Sequence, residues 1–172
     1  MAETPPRRLR VQAAPLLSSG PRVVDAIAYG EDAPDADAAT VRAATVADAH
    51  GFVTRLPGAY LAAVGDDGAT LSGGQRARVA LARALRKPAR AFLLDEPTAA
   101  LDAKTEGRVL DGVVAHAKAT GATLVLVAHA RSAVAKCDFA TVLEDGAVVE
   151  SGPYAALAAD PNSRLNAALD AP

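Results

Sequence analysis

The chain has 172 residues, enough for one domain with a buried core but not for a membrane channel in addition. Hydrophobic residues make up 51% and aromatics only 3%, so the core must be built from Val, Leu and Ala, which suits helices packed on a parallel sheet. A net charge of −2 gives no reason to expect nucleic acid as a partner, and the single Cys137 excludes an internal disulfide or a multi-cysteine zinc site, in keeping with a reducing, cytoplasmic setting.

Residues 1–10 are polar, with Pro5, Pro6, Arg7 and Arg8, and lack the apolar centre of a secretory signal. Residues 9–12 read as a short strand end, followed by a loop through Pro15, Ser18, Ser19, Gly20 and Pro21. Helical patterns cover 22–28 and 35–49, the second opening on acidic residues that suit a helix N-terminus and continuing through Val41, Ala44 and Val46. Pro57, Gly58, Gly65, Asp66, Asp67 and Gly68 mark a long turn region, which ends at Leu71-Ser72-Gly73-Gly74-Gln75. A strongly helical run follows to about Lys87, where Pro88 stops it. From Ala91 the rhythm becomes strand (91–94), helix (104–118, with Val109, Val113 and Ala117 on one face), strand (123–128), an alternation that argues for a parallel sheet. The run 123–128 is the longest buried-looking one and is strand-sized, against the roughly 18 to 20 apolar residues of a membrane span, so membrane contact is expected only through a partner. Residues 139–143 and 147–149 flank Glu144-Asp145-Gly146, a hairpin-type turn that adds an antiparallel element, and the tail from 153 reads as helical.

Residues at four places carry chemistry. Ser72 followed three residues later by Gln75 makes a capping box, and Gly73 and Gly74 leave the helix start open to an anion that meets backbone amides, the positive end of the helix dipole and the Ser72 hydroxyl. Taken alone, the same residues also describe an ordinary glycine-rich cap. The strand 91–94 delivers Asp95 and Glu96 side by side at its carboxyl end, where open α/β sheets bind ligands. There Asp95 would hold Mg²⁺ and Glu96 would polarise a water attacking a γ-phosphate; the plain alternative is a surface Asp-Glu at a strand end. Asp102 opens the next helix, as a cap, a site residue or both. His129 ends the strand 123–128, at the same sheet edge as Asp95 if the strands are parallel, and could donate to the γ-phosphate. His50 and His116 have no chemical neighbours in sequence and are given no role.

Together these residues resemble the ATP-binding domain of the ABC transporter family, over about residues 12–152. Leu71 to Gln75 matches the signature motif, 92–96 the Walker B strand with its catalytic glutamate, 99–102 the D-loop, and His129 the switch histidine. Gln12 stands where a glutamine loop would fall, with a plain loop residue as the alternative. Ile27-Ala28-Tyr29-Gly30 and Val64-Gly65-Asp66-Asp67-Gly68 look like the exporter-type branch. The resemblance implies an α/β fold, a partial P-loop NTPase core of ABC type, RecA-like, with a parallel sheet and a helical signature subdomain. Its expected divisions are 1–21, a leader and glutamine-loop remnant; 22–88, the helical subdomain; and 89–172, the C-terminal part of the RecA-like core. It also implies ATP and Mg²⁺ as cofactors, a second ABC nucleotide-binding domain and a transmembrane transporter domain as partners, and a place at the cytoplasmic face of a membrane. In such a sandwich dimer Ser72 to Gln75 face a nucleotide held by the partner, whereas Asp95, Glu96 and His129 face the nucleotide of their own domain.

The sequence departs from that family in one respect: no Gly-Lys followed by Ser or Thr occurs, so the phosphate-cradling Walker A loop is not among these residues. The expectation is therefore a module inactive alone, with part of its sheet uncovered. Its origin would be a truncated or frame-shifted product, a separately encoded half, or a half-site protein completing another ATPase. An ATPase of DNA repair is a third class, disfavoured because cysteine pairs and heptads are missing and the basic residues are scattered.

Overall fold

The computed structural model describes residues 8–12, 22–29, 36–65 and 68–170. The loop expected through Pro15 to Pro21, and Gly30, Asp35, Asp66 and Asp67, lie outside these residues. In chain order, β1 (Arg8–Gln12) precedes the helices α1 (Val23–Ile27), α2 (Ala38–Val46), α3 (His50–Val53), a 3-10 turn (Ala59–Leu61) and α4 (Gly73–Arg86). Next come β2 (Ala91–Asp95), α5 (Ala103–Thr120), β3 (Thr123–Val127), α6 (Arg131–Val134), the strands β4 (Phe139–Glu144) and β5 (Ala147–Pro153), and the helices α7 (Tyr154–Ala159) and α8 (Arg164–Asp170).

Local chemistry explains most boundaries. The helix expected from 35 begins after Asp37, whose carboxylate accepts from the Thr40 amide at 2.7 Å. It ends short of 49 because Asp48 turns left-handed, with φ of 53°, before α3 restarts the spiral. At the end of α5, Gly121 caps the helix at φ of 66°, a conformation open to glycine without cost. Asp145 and Gly146, at φ of 49° and 78°, form the two-residue turn that joins β4 to β5. Strand β5 runs four residues past the predicted end at 149, pairing as far as Pro153 opposite Phe139; its Glu-Ser-Gly-Pro sequence carries no strand signal, and pairing with β4 imposes the conformation.

Two compact units result, residues 1–126 and 127–172. In the first, β1 and β2 run parallel with Arg8 opposite Ala91 and Gln12 opposite Asp95, and the strand order is β1-β2-β3. Phe92 and Leu94 of the central strand are each 1% exposed and point the same way, as period-two alternation requires. The face of α5 expected to be apolar is the buried one: Val109, Val113 and Ala117 recur every four residues. Val79, Leu81 and Leu85 of α4 join Val23, Val24 and Ile27 of α1 in the same core. Each such aliphatic side chain contributes about 1.5–3 kcal/mol on burial. Alanines and glycines set the close spacing; a Cβ on Gly112 of α5 would lie 2.4 Å from the Val46 carbonyl oxygen at the end of α2. On β3, Val125 and Val127 keep about half their surface exposed. In the second unit Ala140, Val142 and Leu165 are buried, with Val134, Tyr154, Leu157 and Leu169 around them. Among the described residues no helix is long and apolar enough to cross a membrane.

Candidate functional site

The start of α4 is built as its sequence dictates. Ser72 is the N-cap: its Oγ accepts from the Gln75 amide at 3.3 Å, and the Gln75 side-chain oxygen accepts from the Ser72 amide at 2.9 Å. Leu71 is 4% exposed and anchors the entry, while Ser72 and Gly73 face solvent. Gly73 and Gly74 stand in the first turn, where amides have no intrahelical acceptor. A Cβ on Gly73 would meet nothing within 4 Å, so the approach to those amides is open. Gly74 is different. A Cβ there would lie 3.0 Å from Leu101 Cδ2 and 3.1 Å from the Ala100 carbonyl oxygen, so the helix start is pressed against the loop that leads to Asp102.

That loop follows the acid pair. Asp95 is the last residue of β2, and Glu96 leaves the strand with φ of 45°, a left-handed conformation that costs a non-glycine residue about 1–2 kcal/mol. Asp95 and Glu96 are both half-buried. The chain then turns through Thr98, 7% exposed, whose hydroxyl donates to Glu106 Oε1 at 3.0 Å and whose carbonyl accepts from the Leu101 amide at 2.9 Å. Asp102 is the N-cap of α5 and accepts from the Thr105 amide at 2.9 Å, a bond that holds its carboxyl below the ordinary carboxylate range. The acid pair, the loop and the two capped helix starts all belong to the first compact unit.

His129 follows β3 by two residues, is exposed, and belongs to the second unit. Gln12 is the last residue of β1, its backbone opposite Asp95 in the sheet. Among the described residues no group of three or more His, Cys, Asp or Glu comes together to hold a metal ion. Of the two histidines given no role, His50 Nδ1 lies 2.9 Å from the Tyr60 hydroxyl, and His116 packs on Phe92 at a ring separation of 5.7 Å with its pKa lowered by burial.

The sequence matches the family described as ABC transporter over residues 10–99, more than half of the chain. The chain belongs to the ABC transporter family. ABC transporter B family member 18 of Arabidopsis thaliana is 41% identical over 150 residues, 87% of this chain and 12% of the relative. The ATP-dependent lipid A-core flippase of Chromohalobacter salexigens is 43% identical over 134 residues, 77% of this chain and 22% of the relative. Among solved structures, a bacterial Atm1-family ABC exporter with ATP bound superposes with a TM-score of 0.78 at 35% identity, covering 87% of this chain and 26% of that one. The chain thus spans a minor part of the length of the ABC proteins it matches. The exporter-type resemblance and the α/β fold with a parallel sheet both hold: the architecture is part of the ABC ATPase fold.

Two features lay beyond sequence reasoning. The pressure of Gly74 on Ala100 and Leu101 gives the second glycine a packing duty separate from phosphate access. Asp48 bonds to Arg78 across 30 residues and to Arg108 across 60, and no local pattern marks such pairs.

Proposed function

We propose that this chain supplies the signature motif and the hydrolytic acids of an exporter-type ABC ATPase, coupling ATP hydrolysis to transport through a transmembrane partner at the cytoplasmic face of a membrane. The observation that carries the reading is the joined pair of elements in one unit: an exposed, capping-boxed helix start with an open Gly73, pressed through Gly74 onto the loop that follows Asp95 and Glu96. One is chemistry for receiving phosphate, the other for coordinating and activating. Residues 22–88 would act as the helical subdomain and 89–172 as the C-terminal part of the RecA-like core.

The residues fit ATP with Mg²⁺. The Ser72 hydroxyl and first-turn amides of α4 are donors for anionic oxygens, with Gln75 holding the turn in shape, and Asp95 is a hard oxygen ligand for a cation shared with phosphates. Bound Mg²⁺ would supply charge neutralisation as the terminal phosphate is displaced. Glu96, which leaves the strand with a left-handed backbone, would accept a hydrogen bond from the attacking water. His129 would donate to the γ-phosphate. Asp102, at the end of the loop beside Gly74, would lie at the junction with a second ABC nucleotide-binding domain. The 172 residues contain no Gly-Lys-Ser/Thr, so the main phosphate grip has to come from polypeptide outside them.

A second reading rests on the exposed helix start alone: a half-site partner that offers only Ser72 to Gln75 to another ATPase, with Asp95 and Glu96 idle. Turnover separates the two. The chain is combined with a Walker A-bearing ABC ATPase polypeptide, Mg²⁺ and ATP. On the catalytic reading Glu96→Gln abolishes hydrolysis but keeps nucleotide binding, and Ser72→Ala weakens binding by about tenfold, one charge-assisted hydrogen bond's worth. Unchanged turnover in Glu96→Gln together with a weakened Ser72→Ala selects the half-site reading, and no effect of either variant refutes both.

A further inference from the structure

We propose that Asp48 is a positioning residue that ties the signature helix α4 to the Asp102 helix α5, so that the helix start proposed to receive phosphate and the helix start proposed to meet the second domain move as one body. Asp48 sits in the turn after α2 and touches both helices. Its Oδ2 accepts from Arg78 Nη1 at 3.2 Å and from Arg108 Nη2 at 3.0 Å, its Oδ1 from Arg108 Nε at 3.3 Å, and its carbonyl from Arg78 Nη1 at 2.9 Å.

Each arginine then reaches a helix start. Arg78 Nε donates to the Gly74 carbonyl at 3.2 Å, inside the signature motif. Arg108 Nη2 donates to Thr105 Oγ1 at 3.1 Å, and the Thr105 amide donates to Asp102 Oδ1 at 2.9 Å. A continuous polar path therefore runs from Gly74 through Arg78, Asp48, Arg108 and Thr105 to Asp102. Gly74 also packs directly on Ala100 and Leu101, so the two elements are held at two separate points, which removes the pivot that a single contact would leave.

Three observations set this apart from an ordinary surface ion pair, whose net worth is about 0–1 kcal/mol. The Arg78 side chain is only 16% exposed and its guanidinium lies 4.8 Å over the Phe52 ring, which fixes the fork in place. Arg108 meets the carboxylate with two donors, the geometry that adds direction to charge. Asp48 holds φ of 53°, where Asp and Asn are tolerated better than other side chains, so its backbone is shaped to present the carboxylate between both arginines.

The functional weight of this tie rests on the proposed roles of Ser72 and Asp102, but the tie itself is tested without nucleotide, by amide hydrogen exchange on the full chain. The reporters are Gln75 and Arg76, bonded to Ser72 Oγ and its carbonyl, and Thr105 and Glu106, bonded to Asp102 Oδ1 and its carbonyl. Asp48→Gly removes the carboxylate and eases the left-handed backbone. Exchange is expected to rise about tenfold at both sets of reporters and to stay within about twofold at Val113 and Ala117 in the interior of α5. Asp48→Asn, which keeps the left-handed tolerance and one acceptor oxygen, is expected to restore most of the protection. Arg78→Ala and Arg108→Ala should each loosen both helix starts, and neither should add to Asp48→Gly. Asp37→Asn, which keeps the N-cap of α2 but weakens the 2.9 Å ion pair to Arg86 at the far end of α4, should leave the reporters unchanged. If Asp48→Gly does not fold, Arg108→Ala gives the same reading from a side chain already half exposed. Loosening of one helix start alone, of neither, or of the whole core equally overturns the proposal. That result is distinguishable from failure of the Ser72 and Glu96 turnover variants, which concerns the nucleotide roles.

Discussion

Alanine in place of two neighbouring glycines should separate phosphate access from packing. At Gly73 a methyl group meets nothing within 4 Å, whereas at Gly74 it comes within 3.0 Å of Leu101 Cδ2 and 3.1 Å of the Ala100 carbonyl oxygen. Helix propensity favours alanine over glycine by up to about 1 kcal/mol, less in a first turn. Gly73→Ala should therefore melt at the wild-type temperature or up to about 2–4 °C above it for a chain this size. In Gly74→Ala the same gain is opposed by overpacking of about 1–3 kcal/mol, because Leu101 can turn aside but the Ala100 backbone moves only with its loop. The two variants should thus differ by about 1–3 kcal/mol, with Gly74→Ala the weaker. Thermal unfolding followed by circular dichroism measures the difference, and hydrogen exchange at the Leu101 amide, bonded to the Thr98 carbonyl at 2.9 Å, locates it. ATP-dependent association with a Walker A-bearing partner supplies the functional half: Gly73→Ala should stay folded and lose association, because its methyl stands where phosphate oxygens approach the first-turn amides. Equal melting of the two variants would refute the packing argument, and full association of Gly73→Ala would refute the phosphate argument.

Three further outcomes follow from the packing and the titrating groups. Gly112→Ala should destabilise the chain by about 1–3 kcal/mol in urea unfolding, since its Cβ would meet the Val46 carbonyl at 2.4 Å and a backbone atom cannot turn away. Glu150 accepts from the Leu165 amide and the Ser163 hydroxyl, both at 2.8 Å, and the amide bond first, then the hydroxyl, hold its carboxyl below the ordinary value of 4.5. A depressed acid stabilises above its unfolded pKa and loses that contribution as pH falls through the lower folded one, so protection of the Leu165 amide should be full above pH 4.5 and fade below it, an effect absent in Glu150→Gln. His116 is a base lowered from 6.5 by burial; the unfolded chain binds the extra proton, so stability should rise as pH climbs to 6.5, and His116→Phe should flatten that rise in pH-dependent melts.

Much of the framework could be read in advance because it is encoded locally. The capping box at Ser72 and Gln75, the N-cap at Asp102, the turn at Asp145-Gly146 and the buried stripe Val109, Val113, Ala117 each depend on residues a few positions apart. The features that escaped are non-local or contrary to propensity. Asp48 answers to arginines 30 and 60 residues away, the last four residues of β5 are strand only because β4 lies beside them, and α6 is a four-residue helix too short to show a period. Within the candidate site, sequence supplied the residue types, and structure supplied the contact between Gly74 and the Ala100-Leu101 peptide that joins the signature helix to the loop behind the acids.

Four non-glycine residues among those described hold positive φ: Asp48, Ala59, Glu96 and Asp145. Asp145 is accounted for by its hairpin, Ala59 by the turn that follows Gly58, and Asp48 by the two arginines that converge on it. Glu96 opens the turn that leads toward Asp102, its carbonyl accepting from the Ala99 amide at 3.3 Å, in a backbone that glycine or asparagine would take at about 1–2 kcal/mol less strain. A glutamate kept in that conformation, directly after the strand that ends in Asp95, is what a chain would carry if the carboxylate itself were needed there. Natural sequences break local rules mainly at functional sites. On the catalytic reading that strain is tolerated because the carboxylate is needed there, and the turnover of Glu96→Gln, lost on that reading and unchanged on the half-site one, tests it.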